Sequence, residues 1–294
     1  MTFTIAARVG IQFTRSIHLF PQRRSLGASR QLKLTPAFRQ NVIFVRHGET
    51  EWNRALRVQG STDIPLNEKG KAQAEACADY ISSNLHFARN DSADIMVYSS
   101  PLLRALDTAR TITRTLSRVH NKEITLSTTY ALKEWNLGVL EGLAKDEASV
   151  KYPEDWRIFS HWANPFVPND DSNKPLTDGE SMEQVRCRVV DFVNDIVETL
   201  EIDLDEDEAV DDRVIICVTH GGVIGQLLRH VAETTDRFDN EIMYKPPANA
   251  SISTFAIEHD GTISEPQWKI KSWANTDHLT SELAPASANY QKTS

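Results

Sequence analysis

Cysteine is scarce in this chain. Cys77, Cys187 and Cys217 are its only three in 294 residues, and no two form a Cys-x-x-Cys pair. Such spacing excludes a disulfide framework and makes a reducing interior the natural compartment. Cys217 stands in an apolar strand-like run and the others in helical patterns, so all three read as small buried hydrophobes rather than nucleophiles. Also missing is any stretch of the roughly eighteen consecutive apolar residues that a membrane span needs, and no membrane partner is expected. Acid is absent from the first forty residues, which carry seven Lys/Arg and leave 25 basic against 41 acidic residues in the remainder, a net charge of −16. A body this acidic repels nucleic acid and anionic membrane surfaces. Its partner is expected to be a small ligand, and an anionic one has to be drawn in by a local cluster of cations.

Within residues 1–40, Ile5, Val9, Phe13, Ile17 and Phe20 recur at helical spacing on one face, with Arg8, Gln12 and Arg15 on the other. With Arg23, Arg24, Arg30 and several Ser/Thr, this matches a mitochondrial presequence. A secretory signal would place its charge before an uninterrupted apolar run, which Arg8 and Arg15 break. The alternative is a disordered basic tail on a cytoplasmic protein.

From Asn41 onward strands and helices alternate. Val42–Val45, Ile95–Tyr98 and Val214–Val218 are short continuous apolar runs of the kind buried on both faces of a parallel sheet. Asn67 can cap a helix carrying Ala72, Ala76, Tyr80 and Ile81. Ser100-Pro101 opens a second, with Leu102, Ala105, Leu106, Ala109 and Ile112. A third starts near Ser181, with Gln184 placed for a capping box and Val185, Val189, Phe192, Ile196 and Leu200 as its stripe. Eight of the twelve residues 201–212 are acidic and read as a solvated loop, with no metal binding inferred. Ser251 to Ile257 alternates like a final strand, and 280–294 reads as a disordered tail. Residues 142–179 interleave Trp156, Phe159, Trp162 and Phe166 with prolines, which suits a packed excursion and equally a cover over a site.

Ligands of open α/β sheets bind outside the carboxyl ends of the strands, and polar residues gather there. Arg46 ends the first apolar run and His47 follows it, Arg104 lies in the first turn of the second helix, and His220, backed by Gly221 and Gly222, follows the run ending at Thr219. Two arginines with forked donors and nearby helix N-termini make an anion hole. Like charge depresses a histidine's pKa from about 6.5, so a histidine among them is neutral and able to attack phosphorus. Glu134 is the candidate for protonating the leaving oxygen and later activating water.

Arg46-His47-Gly48-Glu49-Thr50 with Glu51-Trp52-Asn53 resembles the signature of the histidine phosphatase superfamily, which includes phosphoglycerate mutases and many phosphomonoesterases. Further segments resemble its later motifs in order: Gln59-Gly60 through Gly70, Tyr98 to Ala105, Leu132 to Gly142, Asp178 to Ser181 with Arg188, Thr219 to Gly222, and Asn275 to Leu279. The resemblance covers 41–279. It implies a three-layer αβα sandwich with a mainly parallel sheet, and His47 as nucleophile through a phosphohistidine. Arg46, Arg104 and His220 would hold the phosphoryl group and Glu134 would be the proton donor. Asn53, Gln59 and Gly221 would be substrate contacts, with no metal or organic cofactor.

The function expected is hydrolysis of a small phosphorylated metabolite. The alternatives are a cofactor-dependent phosphoglycerate mutase and a noncatalytic binding relative. Mutases of this family supply extra cations after the acid motif, typically adjacent arginines followed by a tyrosine. Here Leu143 to Trp162 offers only Lys145, Lys151 and Arg157.

Overall fold

The computed structural model describes residues 38–84, 94–162, 164, 169–202, 213–235, 245–259 and 265–284. The presequence expectation falls outside these residues, except where the chain enters its first strand, as do 203–212 and 285–294. In chain order the elements are β1 (Phe38–Arg46), α1 (Glu51–Arg54), α2 (Glu68–Asn84), β2 (Asp94–Ser99), α3 (Leu103–Val119) and β3 (Leu126–Thr128). Short 3-10 turns at Tyr130–Leu132 and Gly138–Leu140 lead to α4 (Lys145–Lys151), α5 (Pro153–Ser160), α6 (Asn169–Asn173) and α7 (Met182–Ile202). They are followed by β4 (Arg213–Thr219), α8 (Gly221–Thr234), β5 (Ile252–His259) and β6 (Gln267–Asn275).

The six strands form one sheet in the order β3-β2-β4-β1-β5-β6. β3, β2, β4 and β1 pair in parallel, and β5 and β6 add antiparallel at one edge. Successive side chains of a strand point to opposite faces, and here both faces are covered. Val42, Phe44, Ile215, Cys217, Phe255 and Ile257 join α7, α8 and the segment carrying Ile158, Phe159 and Trp162 in one core. Ile43, Val45, Ile95, Val97, Val214, Ile216 and Val218 pack with α2 and α3 in the other. Two-sided burial is why these strands read as unbroken apolar runs, and the result is the three-layer sandwich.

Several boundaries differ from the sequence reading. β1 begins at Phe38, upstream of Asn41. The strand over Ser251 to Ile257 is followed by β6, where Trp268 is buried against β5. α7 continues through Ile202, two residues into the acidic run, and carries Cys187 on its exposed face, so that only Cys77 and Cys217 are the buried hydrophobes expected of all three cysteines. The buried face of α2 is Gln73, Ala74, Cys77, Ala78 and Ile81, rotated from the expected stripe toward the residues that meet α3. Asn67 does cap α2, its Oδ1 accepting from Gly70 N at 2.8 Å. The Ser181–Gln184 box forms in both directions, at 2.8 and 3.1 Å. Residues 280–284 form a turn docked on α2, where Lys69 Nζ and Gln73 Nε2 donate to the carbonyls of Ala284 and Leu283 at 2.6 and 2.8 Å. The described residues of 142–179 include three helices, and Ile158 of α5 and Leu176 beyond α6 are interior, so this segment completes a core as well as reaching the site. Among the described residues no helix is long and apolar enough to cross a membrane.

The loop after β1 lies directly on the start of α2. A Cβ on Gly70 would stand 2.0 Å from the Glu49 carbonyl oxygen and 2.7 Å from its nitrogen. Replacing glycine by alanine inside a helix ordinarily stabilises by about 1 kcal/mol. Gly70→Ala is expected to reverse that sign and destabilise by about 1–3 kcal/mol, because the clash is with backbone. Urea denaturation of the two proteins measures it, and a higher midpoint for the variant would contradict the packing.

Candidate active site

The parallel pairing of β1 with β4 places Arg46 opposite Thr219, so the residues following the two strands, His47 and His220, emerge side by side. His47 N donates to Thr219 O at 3.0 Å, and the two imidazole centroids are 5.1 Å apart. Both rings are buried. The His47 Nδ1 lies 2.6 Å from the Gly48 carbonyl. A carbonyl can only accept, so Nδ1 carries the proton and Nε2 keeps its lone pair. Burial first, then Arg104 and Arg46, push the His47 pKa well below its ordinary value, which keeps the ring neutral. His220 is held neutral in the same way, chiefly by burial and then by Arg104.

Arg104, in the first turn of α3, is completely buried. Its Nη1 and Nη2 donate to Thr62 O and Gly60 O at 2.8 and 2.7 Å, leaving Nε buried with no hydrogen-bond partner among the described residues. Burial lowers its pKa to about 10, so it remains a cation at neutral pH. The loop that offers those carbonyls is itself fixed by Glu141. That carboxylate accepts from Ser61 N and Oγ at 2.7 and 2.9 Å, from Thr62 N and Oγ1 at 2.9 and 2.5 Å, and from Leu137 N at 3.1 Å. Arg46 Nη1 donates to Pro247 O at 2.7 Å.

Glu134 follows the turn after β3. Its Oε1 accepts from Trp135 N at 2.9 Å and its Oε2 from Gly222 N, at the start of α8, at 3.4 Å. Desolvation raises its pKa and outweighs the lowering by Arg104, so the carboxyl is biased toward its protonated form. Any Cβ on Gly222 would lie 2.6 Å from Glu134 Oε1, which is why the acid can approach the helix there. Arg188 braces the acid's backbone, donating to Ala131 O at 2.7 Å, and Glu180 accepts from Asn136 N at 2.9 Å.

These groups border a solvent-open cavity. Of the residues singled out in the sequence, Arg46, His47, Asn53, Gln59, Arg104, Glu134 and Gly221 line it, and His220 is fully buried beside His47. The amide oxygen of Asn53 is occupied by Thr50 N and Asn249 Nδ2 at 3.1 and 3.0 Å, so its amino group is what it can offer a ligand. Gln59 Oε1 likewise accepts from Thr50 Oγ1 at 3.0 Å.

Sequence reasoning missed Arg57 at the mouth, Trp135 and Leu137 in the wall, and Asn249, whose Nδ2 reaches His47 O at 3.2 Å and Gly48 O at 3.3 Å. Ser100 and Thr108 were also unassigned. Ser100 Oγ meets His220 Nε2 at 2.7 Å, and Thr108 Oγ1 accepts from Gly48 N at 3.2 Å. Two consecutive prolines before Asn249 mark a turn, but nothing in the sequence ties that turn to His47. Among the described residues no group of three or more His, Cys, Asp or Glu is placed to hold a metal.

The family model described as histidine phosphatase superfamily (branch 1) matches residues 42–276. The chain belongs to this superfamily. A metal-independent phosphoserine phosphatase of Arabidopsis thaliana is 31% identical over 82% of this chain and 83% of its own length. A 2,3-bisphosphoglycerate-dependent phosphoglycerate mutase of Hamiltonella defensa is 30% identical over 69% and 82% respectively. Among solved structures, a phosphoserine phosphatase from Entamoeba histolytica in complex with 3-phosphoglyceric acid superposes with a TM-score of 0.56 at 26% identity, covering 82% of this chain and 99% of that one. At the level of its superfamily, the chain is a histidine-phosphatase-type phosphomonoesterase acting on a small phosphorylated metabolite.

The depressed histidines carry a consequence for stability. In the unfolded chain each takes up a proton near pH ~6.5, whereas the folded state resists it, so stability is fully present above that pH. It is lost as pH falls toward the folded-state values, about 4 for His230, which is half-buried beside Arg186. Glu134, with its raised pKa, works in the opposite sense but is outnumbered. The urea midpoint is expected to drop between pH 7.5 and 5.5, and to drop less in the double variant His47→Gln/His220→Gln. Equal pH sensitivity in both proteins would count against neutral histidines at the site.

Proposed function

We propose that the chain hydrolyses a small phosphate ester bearing one further acidic group, such as a carboxylate, by way of a phosphohistidine at His47. The observation carrying this reading is an unprotonated His47 Nε2 in a cavity shared with Arg46, Arg104 and a carboxyl of raised pKa. Nε2 attacks phosphorus while the ester P–O bond breaks, and the departing oxygen takes the Glu134 proton. Water then attacks the phosphohistidine, the N–P bond breaks, and the water proton returns to Glu134, releasing inorganic phosphate and restoring the enzyme. Arg46, Arg104 and His220 offset the charge on the transferred group throughout. Asn53, Gln59 and the Gly221 backbone are the remaining contacts.

Hydrolysis is favoured over mutase chemistry by where the other cations are spent. A mutase has to retain a second phosphate and exclude water while its intermediate turns round. Of the cations in the segment after the acid motif, Arg157 is committed to Asp171 and Glu154, at 2.5 and 3.1 Å, and Lys151 lies over the Tyr152 ring. Beyond the clamp, Arg57 is the one cation among the described residues that line the cavity, which Leu137, Phe159 and Trp162 also line. That suits one additional anionic group. The phosphoserine phosphatase relative, whose named substrate is a carboxylated ester, supports the same class.

Purified full-length protein is expected to release phosphate from such an ester without 2,3-bisphosphoglycerate and to form an acid-labile, base-stable phosphoenzyme that His47→Ala lacks. Glu134→Gln should slow esters with poor leaving groups by roughly a hundredfold and activated aryl phosphates much less. Bisphosphoglycerate-dependent interconversion of phosphoglycerates outrunning phosphate release on every ester tried would replace this reading with the mutase one.

The acid-free, amphipathic composition of residues 1–40 supports a second proposal, import into mitochondria. Fused to a fluorescent reporter, these residues are expected to direct it there; a diffuse cytosolic signal would refute the idea.

A further inference from the structure

The two active-site imidazoles are oriented by different means. His47 has a main-chain carbonyl, which fixes its tautomer outright. His220 has Ser100, whose Oγ lies 2.7 Å from its Nε2, with both residues completely buried. The other ring nitrogen, Nδ1, is buried and has no hydrogen-bond partner among the described residues. A buried polar nitrogen left open in this way costs free energy unless a ligand meets it, and the neighbouring ring is His47.

Which atom a phosphoryl oxygen would meet depends on Ser100. A hydroxyl has one proton to give and two lone pairs to receive with. Leu102 N donates to Ser100 Oγ at 3.3 Å, using one lone pair. The second lone pair could accept from an Nε2–H, but the hydroxyl proton would then lack any acceptor among the described residues; given to His220 Nε2 it is satisfied, which makes that nitrogen the acceptor and places the ring's own hydrogen on Nδ1. With the roles reversed, Nδ1 would present a lone pair to an anion, which is repulsive.

We propose that Ser100 is a positioning residue that locks His220 in its Nδ1–H tautomer, so that this N–H donates to the phosphoryl group carried by His47. The proposal rests on the phosphohistidine reading above and adds to it a residue that never touches substrate. It also explains why a neutral histidine can serve in an anion clamp: the tautomer supplies a directed donor without a second buried proton.

The test is nitrogen-15 NMR of the full chain labelled at histidine, with and without orthovanadate, the His220 signals being assigned by their loss in His220→Gln. Wild type is expected to show His220 protonated at Nδ1 and bare at Nε2 in both states. In Ser100→Ala the tautomers should mix or invert, with kcat falling roughly tenfold to a hundredfold, less than for deleting an anion-hole donor outright. KM should change little, and Ser100→Thr, which keeps the hydroxyl, should recover both readouts. A wild-type His220 protonated at Nε2 overturns the proposal, as does Ser100→Ala with tautomer and kcat unchanged. If Ser100→Ala does not fold, Ser100→Cys, similar in size and a weaker donor, takes its place, and the wild-type spectrum already decides the tautomer. Because the tautomer is read without turnover, a missing phosphoenzyme would reject the phosphohistidine reading separately from this one.

Discussion

The parallel register between β1 and β4 is the constraint on which everything at the site depends. It aligns Arg46 with Thr219 and so brings two residues 173 positions apart in the chain, His47 and His220, into ring contact. One residue of slip would turn every side chain of β1 to the opposite face. Such a slip would exchange Val42 and Phe44 with Ile43 and Val45 between two cores that are each closely filled. The register is therefore held by apolar packing on both faces of the sheet, and the catalytic geometry inherits its precision from that packing.

A second layer of control is hydrogen bonding to the loops. Gly48 O receives His47 Nδ1 and lies within reach of Asn249 Nδ2, while Gly48 N donates to Thr108. On the far side of the clamp, Arg104 is oriented by carbonyls that stay in place because Glu141 gathers five donors from Ser61, Thr62 and Leu137. A carboxylate with that many donors is a strong, charge-assisted node. It also ties the phosphate clamp to the loop bearing Glu134, since Leu137 belongs to that loop. Displacement of one side of the cavity is thus resisted by the other.

Much of this was legible in the sequence because it is periodic or punctuated. The apolar runs of β1, β2 and β4, the Asn67 cap and the Ser181 box declare themselves, and the polar residues at strand ends follow from the sheet rule. β6 was not legible, since its exposed and buried residues alternate irregularly and its register with β5 is interrupted by a bulge. β3, at three residues, is too short to show any period. Asn249, Thr108 and Ser100 were missed as site residues for a different reason. Each acts through a single hydrogen bond or a few set by tertiary approach, and local sequence carries no record of such a partner.

The electrostatics of the cavity show why cations, neutral rings and an acid of raised pKa occur together. Arg104 is buried and Arg46 half-buried; the carbonyls of Thr62, Gly60 and Pro247 orient them, and the carboxylates of Asp63 and Glu141 lie close enough to act on Arg104. Charging either histidine would add a third cation to the same low-dielectric volume, so both stay neutral and one is left nucleophilic. An ionised Glu134 would relieve the arginines, yet burial raises its pKa in spite of them. The site therefore presents two cationic side chains to a phosphate dianion, beside an acid that burial biases toward holding the proton the departing oxygen needs. The pH dependence of folding and the capacity for phosphoryl transfer draw on the same buried groups.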